Sequence, residues 1–476
     1  MAYETLELWD CGGPSIEPIT SLTTLCKSRI IYSPESRALQ QCKNEINSFY
    51  QEGKWDDYKK ITNPYEYIFL SWNRRSSRSV TTRQPLSRSY FKMIELWKRL
   101  NLTEYLESLV RSTGGLLTAH AAEGPGGFIE ACTVMAEKNA WEFKSASAIT
   151  LRSEAKNVPG WRKAARFLTN YPQIAIHDGE DGTGNILLKE NQDAFVKTVR
   201  TAYPQGVHLF TADGGFDFSS DYNAQEDSIF PLLLAETILG LRVLAKGGCL
   251  IIKCFDTTEQ PTLDLIWLVS RAFCEWGVVK PRTSRAGNAE RYIIGKGFLG
   301  DIDDILSVFE TAQSTQSFTH SLIPTPTSDA WKRTLVLLTE LQEKIEHMEI
   351  IVIRETIDLI KHTDQSIVKR LVKENVERSI AWCQEHGEEI SGTWTNDLEK
   401  NIQKETSDLL NILNPPTNRI SYSYSSWQSR STMTSHLTFE GFRTPDGIRS
   451  DIPQPSNPFM RAKSTNTIVM GRSGSV

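Results

Sequence analysis

The feature that most limits what this chain can fold into is a rhythm between about residues 86 and 300, where short apolar runs alternate with longer helix-like segments. "LLTAHAA", "ASAITL", "QIAIH", "GVHLFTAD", "GCLIIKCF" and "RYIIGKGF" are nearly continuous in apolar residues, the pattern of strands covered on both faces. Between them, segments such as "NAQEDSIFPLLLAETILGLRVLA" and "PTLDLIWLVSRAFCEW" have helical spacing. Strand, helix and strand in that order demand a mostly parallel α/β sheet with helices on both faces. The first run leads into "HAAEGPGGFIEA", a glycine turn that opens a helix-like segment. Gly124, Gly126 and Gly127 let backbone turn tightly and approach a ligand, while the helix behind them aims free N–H groups at the same place.

The rest of the chain divides around this core. A mixed N-terminal region covers residues 1–85, the α/β region 86–300, a helical region 301–414, and a tail 415–476 that reads as flexible from its Ser, Thr, Pro and Asn content. Leu335, Leu338, Leu341, Ile345, Met348 and Val352 are spaced by threes and fours, and a second amphipathic run spans Ile367 to Ile380, the pattern of a packing seam. With 476 residues, 39% hydrophobic and 23% charged, the chain can bury a large core. A net charge of -5 gives no global pull toward nucleic acid, so a polyanion site must be a local basic patch such as "NRRSSRSVTTR". The eight cysteines show neither C-x-x-C pairing nor a zinc-spaced histidine, which points to reduced thiols, no metal and an intracellular setting. No run has the roughly 18 apolar residues of a spanning helix, so no membrane role is expected.

The glycine turn alone is not specific. "GPGG" is neither the dinucleotide G-x-G-x-x-G nor a Walker A loop, and a purely structural turn accounts for it equally well. Two neighbours sharpen the reading: Asp213 ends the strand of "TADGGFDF", and Lys253 lies inside the apolar strand of "GGCLIIKCF". A lysine there is costly to bury without a partner or a task.

The motifs "SRSYFKMIEL", "AAEGPGGFIEA", "GEDGTGNI", "GVHLFTADGGFD", "GGCLIIKCFD" and "SRAGNAERYIIGKGF", in this order over roughly residues 85 to 300, resemble those of the FtsJ-like ribose 2'-O-methyltransferases. The likeness is greatest to the cap-specific mRNA enzymes of eukaryotes and their viruses. It implies a Rossmann-like methyltransferase sheet, S-adenosylmethionine as cofactor, and a catalytic Lys-Asp-Lys-Glu tetrad on Lys92, Asp213, Lys253 and Glu290. Taken singly each has a plainer role: Lys92 as a solvated helix lysine, Asp213 as a turn former, Glu290 as a surface ion pair with Arg291.

The chemistry supports the set independently. A ribose hydroxyl is a poor nucleophile near neutral pH, so methyl transfer needs a base or a positioned lone pair. Lys253 is the expected base, with Lys92 and Asp213 tuning and orienting it and Glu290 positioning the ribose and the amines. Burial and a second ammonium lower a lysine pKa and carboxylates raise it; the sequence does not supply the balance.

The resemblance also implies that Glu123, Gly124, Pro125, Gly126, Gly127 and Phe128 hold the methionine end of the cofactor, with Asp213 close to the transferred methyl. Where many nucleotide-binding folds end the second strand with an acid, this chain has Thr150, Leu151 and Arg152, so Asp178 or Asp181 in "HDGEDGTGN" is expected to take over at the adenosine. Glu123 could equally cap the helix or order the loop. Arg74, Arg75, Arg78, Arg88 and Arg285 are candidate RNA phosphate contacts. The expected activity is methylation of the first transcribed nucleotide of capped mRNA. The alternatives are a ribosomal or transfer RNA 2'-O-methyltransferase and a non-catalytic RNA-binding scaffold on the same fold. The C-terminal helices are expected to be available to protein partners. The sequence does not decide between nucleus and cytoplasm, nor, for a viral protein, between host cytoplasm and virion.

Overall fold

A computed structural model of the chain describes residues 9–10, 35–51, 53–70, 78–152, 160–215, 225–316, 318, 321–324 and 328–413. Arg74, Arg75 and the tail 415–476 lie outside the described residues. Among the described residues eight strands form one sheet: β1 Trp9–Asp10, β2 Leu116–Ala121, β3 Phe143–Ile149, β4 Ile174–His177, β5 Val207–Ala212, β6 Leu244–Cys254, β7 Phe273–Val279 and β8 Arg291–Phe298. Their order across the sheet is β1-β7-β8-β6-β5-β2-β3-β4. The neighbours from β4 through β6 run parallel, whereas β8 is antiparallel to both β6 and β7. Every residue of β2, β5 and β8 is buried, as the apolar runs require.

The expected α/β sheet is present, with two local differences. "FCEW", read as the end of a helix, is strand: the helix Gln260–Ala272 stops and β7 begins at Phe273. Its last residues share the helical spacing of the segment before them, and pairing with β8 decides the conformation, Trp276 against Gly295 and Val278 against Ile293. Likewise, Leu244 and Ala245 leave the preceding helix and open β6.

Strand order places the site. From β2 the chain moves outward on one side to β3 and β4, then returns to lay β5 and β6 on the other side. The crevice between the carboxyl ends of β2 and β5 is the switch point at which open α/β sheets bind ligands. Because β8 is antiparallel, its first residue, Arg291, pairs with the last of β6, Cys254, which brings residue 290 to the same edge.

The flanking regions pack onto this core. Leu39, Cys42 and Ile46 of the helix Ser36–Gln51 meet Ile350, Ile353 and Ile357 of the long helix Asp329–Lys361. The expected seam is largely inward: Leu338, Leu341 and Ile345 belong to a core cluster that also holds Leu263 and Ile293. Val368, Val372 and Trp382 of the helix Gln365–His386 share a cluster with Tyr67, Phe91 and Phe128. Among the described residues no helix is long and apolar enough to cross a membrane, and no group of side chains could hold a metal ion.

Candidate active site

Four elements deliver charged side chains to the carboxyl edge of the sheet. Lys92 comes from the helix Ser89–Arg99, Asp213 directly follows β5, Lys253 is the penultimate residue of β6, and Glu290 directly precedes β8. Lys92 Nζ lies 2.7 Å from Glu290 Oε1, and Lys253 Nζ lies 3.2 Å from Asp213 Oδ1. Lys253 also donates to the Asp213 backbone carbonyl at 2.7 Å. These side chains are only about one-tenth exposed. The structure therefore brings together all four residues of the expected tetrad.

A fifth residue, not singled out in the sequence, joins the two pairs. Tyr292 is opposite Lys253 in the β6–β8 register, and its hydroxyl approaches Asp213 Oδ1 at 2.8 Å and Glu290 Oε1 at 3.3 Å. The phenol is fully buried. Burial, reinforced by the Asp213 and Glu290 carboxylates, pushes its pKa well up, so it stays a hydrogen donor. The available signal was positional: Tyr292 is two residues beyond Glu290 and so faces the same side of its strand.

The electrostatic balance left open by the sequence falls on the side of charge. Burial alone would drive the proton from Lys253, but Asp213 and Glu290 outweigh it and hold the amine above the ordinary lysine value. Burial would likewise raise Glu290, yet the Lys92 and Lys253 ammonium groups bring it down to about 2. Two ammonium groups and two carboxylates thus compensate one another at this edge.

The glycine turn follows β2 and opens the helix Gly127–Lys138. Gly126 has φ +104°, a region that favours glycine. A Cβ on Gly124 would come within 2.9 Å of the Gly160 backbone, and one on Gly127 would come 2.2 and 2.3 Å from the Ser89 and Ser87 hydroxyls. Gly127 therefore also serves packing, letting its helix touch the one that carries Lys92. Glu123, Pro125 and Phe128 are buried. Glu123 accepts a hydrogen bond from Thr211 and lies 3.2 Å from His120 Nδ1, beneath the turn; burial pushes its carboxyl up. Phe128 packs against Tyr292, ring centres 5.7 Å apart, and so supports the tetrad from behind.

Beyond β3 and β4, Asp178 pairs with Arg152 at 3.1 Å, and Asp181 accepts hydrogen bonds from Thr183 and Asn191. The Thr183 bonds hold the Asp181 carboxyl below its usual range. Leu151, two residues past β3, is 42% exposed.

The candidate phosphate contacts that are described have internal partners. Arg78 pairs with Glu405 and Asp408. Arg88 and Arg285 converge on Glu66, at 3.3 and 2.9 Å, and Arg88 also donates to the Tyr65 and Phe69 carbonyls. Burial would raise Glu66, but the two guanidiniums hold it at about 2. An RNA phosphate near these arginines would share them with Glu66.

Comparisons with known proteins point to one family. The FtsJ-like methyltransferase family matches residues 85–298. A Trypanosoma brucei brucei protein named cap-specific mRNA (nucleoside-2'-O-)-methyltransferase 1 is 29% identical over 51% of this chain and 64% of its own length. A Xenopus laevis protein of the same name is 38% identical over 63% of this chain and 34% of its own, and a Danio rerio cap-specific mRNA (nucleoside-2'-O-)-methyltransferase 2 is 27% identical over 60% and 37%. The chain thus spans less than two-thirds of each of these relatives. The family expected from the motifs is the family found: residues 85–298 of this chain are an FtsJ-like methyltransferase domain.

Proposed function

We propose that the chain transfers a methyl group from S-adenosylmethionine to the ribose 2'-hydroxyl of the first transcribed nucleotide of capped mRNA. The observation that carries this reading is the convergence of Lys92, Asp213, Lys253, Glu290 and Tyr292 at one strand edge beside the glycine turn. The family match and the names of the relatives support the choice of methyl transfer and of a cap substrate. An intact tetrad argues against a non-catalytic scaffold, and the relatives' names do not favour a ribosomal or transfer RNA substrate.

The residues fit the cofactor. Exposed apolar Leu151 follows β3 and the acids Asp178 and Asp181 follow β4, two strands whose ends pair Ile149 with His177, a combination suited to a purine nucleoside and its hydroxyls, while Gly124 and Gly126 keep side chains out of the turn after β2 that would meet the methionine end. S-adenosylmethionine supplies, when bound, an electrophilic methyl on a cationic sulfur. Lys253, once neutral, takes the proton of the 2'-hydroxyl on its Nζ. Asp213 fixes that amine through both its carbonyl and its carboxylate, and Gly215 keeps the approach open, since a Cβ there would lie 3.2 Å from Nζ. Glu290, held by Lys92 and Tyr292, orients the ribose.

Labelled-methyl transfer to short RNAs carrying an N7-methylated cap, an unmethylated cap or no cap, with the product position mapped, tests the reading. Label on the first nucleotide of capped RNA is expected; equal transfer to uncapped RNA would remove the cap assignment. Tyr292→Phe deletes one hydroxyl and its bonds to two carboxylates, so a loss of about tenfold in kcat is expected, in keeping with hydrogen bonds to charged groups. An unchanged kcat would make Tyr292 a bystander.

A further inference from the structure

The segment carrying Glu290 is held from outside the tetrad by a buried polar network that reaches into both flanking regions. Lys280, one residue past β7 and 8% exposed, donates from Nζ to the Asn288 carbonyl at 2.5 Å, the Asn288 side-chain oxygen at 3.0 Å and the Glu290 carbonyl at 2.9 Å. Arg291, with no exposed surface, donates to the Ala289 carbonyl at 2.9 Å, to Gln342 Oε1 at 2.6 Å and to Asp256 Oδ1 at 3.2 Å. One ammonium and one guanidinium thus grip the backbone carbonyls of three consecutive residues, 288, 289 and 290.

The second half of the grip comes from the helix Asp329–Lys361, beyond the matched domain. Gln342 is fully buried, accepts from Arg291 and donates to Asp256 Oδ1 and Glu346 Oε1, both at 3.1 Å. Glu349, one further turn pair along and fully buried, lies 3.6 Å from Lys43 of the N-terminal helix; Lys43 also lies 3.5 Å from Asp256. The same helix touches the loop directly, since a Cβ on Gly287 would lie 3.3 Å from Val352. Nothing in the fold alone requires so many desolvated polar groups here, because well-packed apolar residues are often as stable as a buried ionic network.

We propose that Lys280 and Gln342 are positioning residues for Glu290, so that the long helix Asp329–Lys361, outside the matched methyltransferase domain, is a working part of its catalytic edge. The proposal rests on the methyl-transfer reading for its kinetic consequence. A carboxylate must be held to a fraction of an ångström to orient a ribose, and a loop residue at a strand start gains that precision only from surrounding bonds. Burial, against Glu349 from the long helix and Glu290 from the loop and aided by Arg291 and Lys92, brings the Lys280 amine down to about 8, which leaves it mostly charged at neutral pH. Lys280 in turn helps hold Glu290 ionised, behind the larger contributions of Lys92 and Lys253.

The test combines kinetics with a measurement that needs no substrate. Lys280→Met and Gln342→Leu should each lower kcat about tenfold, the usual scale for losing a supporting contact, with KM for S-adenosylmethionine unchanged within about twofold. In protein labelled with carbon-13 at glutamate carboxyls, and assigned with Glu290→Gln, Lys280→Met should shift the Glu290 titration to higher pH because a cation is gone. Folded variants with wild-type kcat and an unmoved Glu290 titration would overturn the proposal. Should Lys280→Met fail to fold, Asn288→Ala removes a half-exposed acceptor of the same amine, and a wild-type kcat in that variant overturns it equally. A wild-type chain inactive on every RNA sinks the methyl-transfer reading alone, and the carboxyl titration still decides whether Lys280 acts on Glu290.

Discussion

Lys253→Ala is expected to reduce methyl transfer to capped RNA by about a thousandfold, within the range that a positioned general base contributes. Single-turnover transfer of a labelled methyl, alongside equilibrium titration of S-adenosylmethionine, separates chemistry from binding; cofactor affinity should change little. The size of the effect follows from the geometry. Lys253 Nζ is the group bonded to both the carbonyl and the carboxylate of Asp213, and no other described amine replaces it there. Its charge state gives the prediction a second arm. Asp213 and Glu290 raise the amine's pKa against the effect of burial, so the neutral, proton-accepting form is the minority species at neutral pH. The wild-type rate should therefore rise with pH from neutral into the mildly alkaline range, and Lys253→Ala should flatten that slope. A variant with wild-type rate, or a wild-type rate that falls over the same interval, would show that another group removes the proton.

The tetrad was readable in the sequence because each member stands in a motif whose local structure is simple: a strand end, a strand interior, a strand start and a helix. Asp213 and Lys253 each lie one residue past the last rung their strands share, Ala212 with Ile252, so parallel pairing alone brings them together. Glu290 needed one further fact, the reversal of β8, which no local pattern announces. What was not readable depended on contacts distant in sequence. The bonds of Arg88 and Arg285 to Glu66 span 22 and 219 residues, so a list of basic residues could not show that a buried carboxylate already engages two of them. The seam on the long C-terminal helix was visible as apolar spacing, but Gln342 and Glu349 fall among its buried positions and answer to Arg291 and Lys43. Periodicity finds a buried face and does not reveal what a polar residue on that face is for.

Gly127→Ala is expected to lower methyl transfer by about a hundredfold in protein that still folds, and to cost about 1–3 kcal/mol of stability, the usual range for overpacking. The added methyl would meet the Ser89 and Ser87 hydroxyls at 2.2 and 2.3 Å, which can rotate, and the Tyr90 backbone nitrogen at 2.9 Å, which cannot move without its helix. That helix carries Lys92 two residues further on, and Lys92 is paired with Glu290 at 2.7 Å. A displacement of about 1 Å in such a pair is enough for a hundredfold loss. On the proposed function the glycine motif has two duties, clearing backbone for the cofactor and setting the distance between two helices. Gly126→Ala separates them. A Cβ there would find Trp161 at 3.3 Å and Leu86 at 3.6 Å, neither of them in the helix of Lys92, although its φ of +104° strains any side chain. Gly126→Ala should weaken S-adenosylmethionine binding more than it lowers the rate at saturating cofactor, whereas Gly127→Ala should do the reverse. Cofactor titration and saturating single-turnover rates on both variants decide the matter, and equal effects on binding and rate would reduce Gly127 to a second cofactor contact.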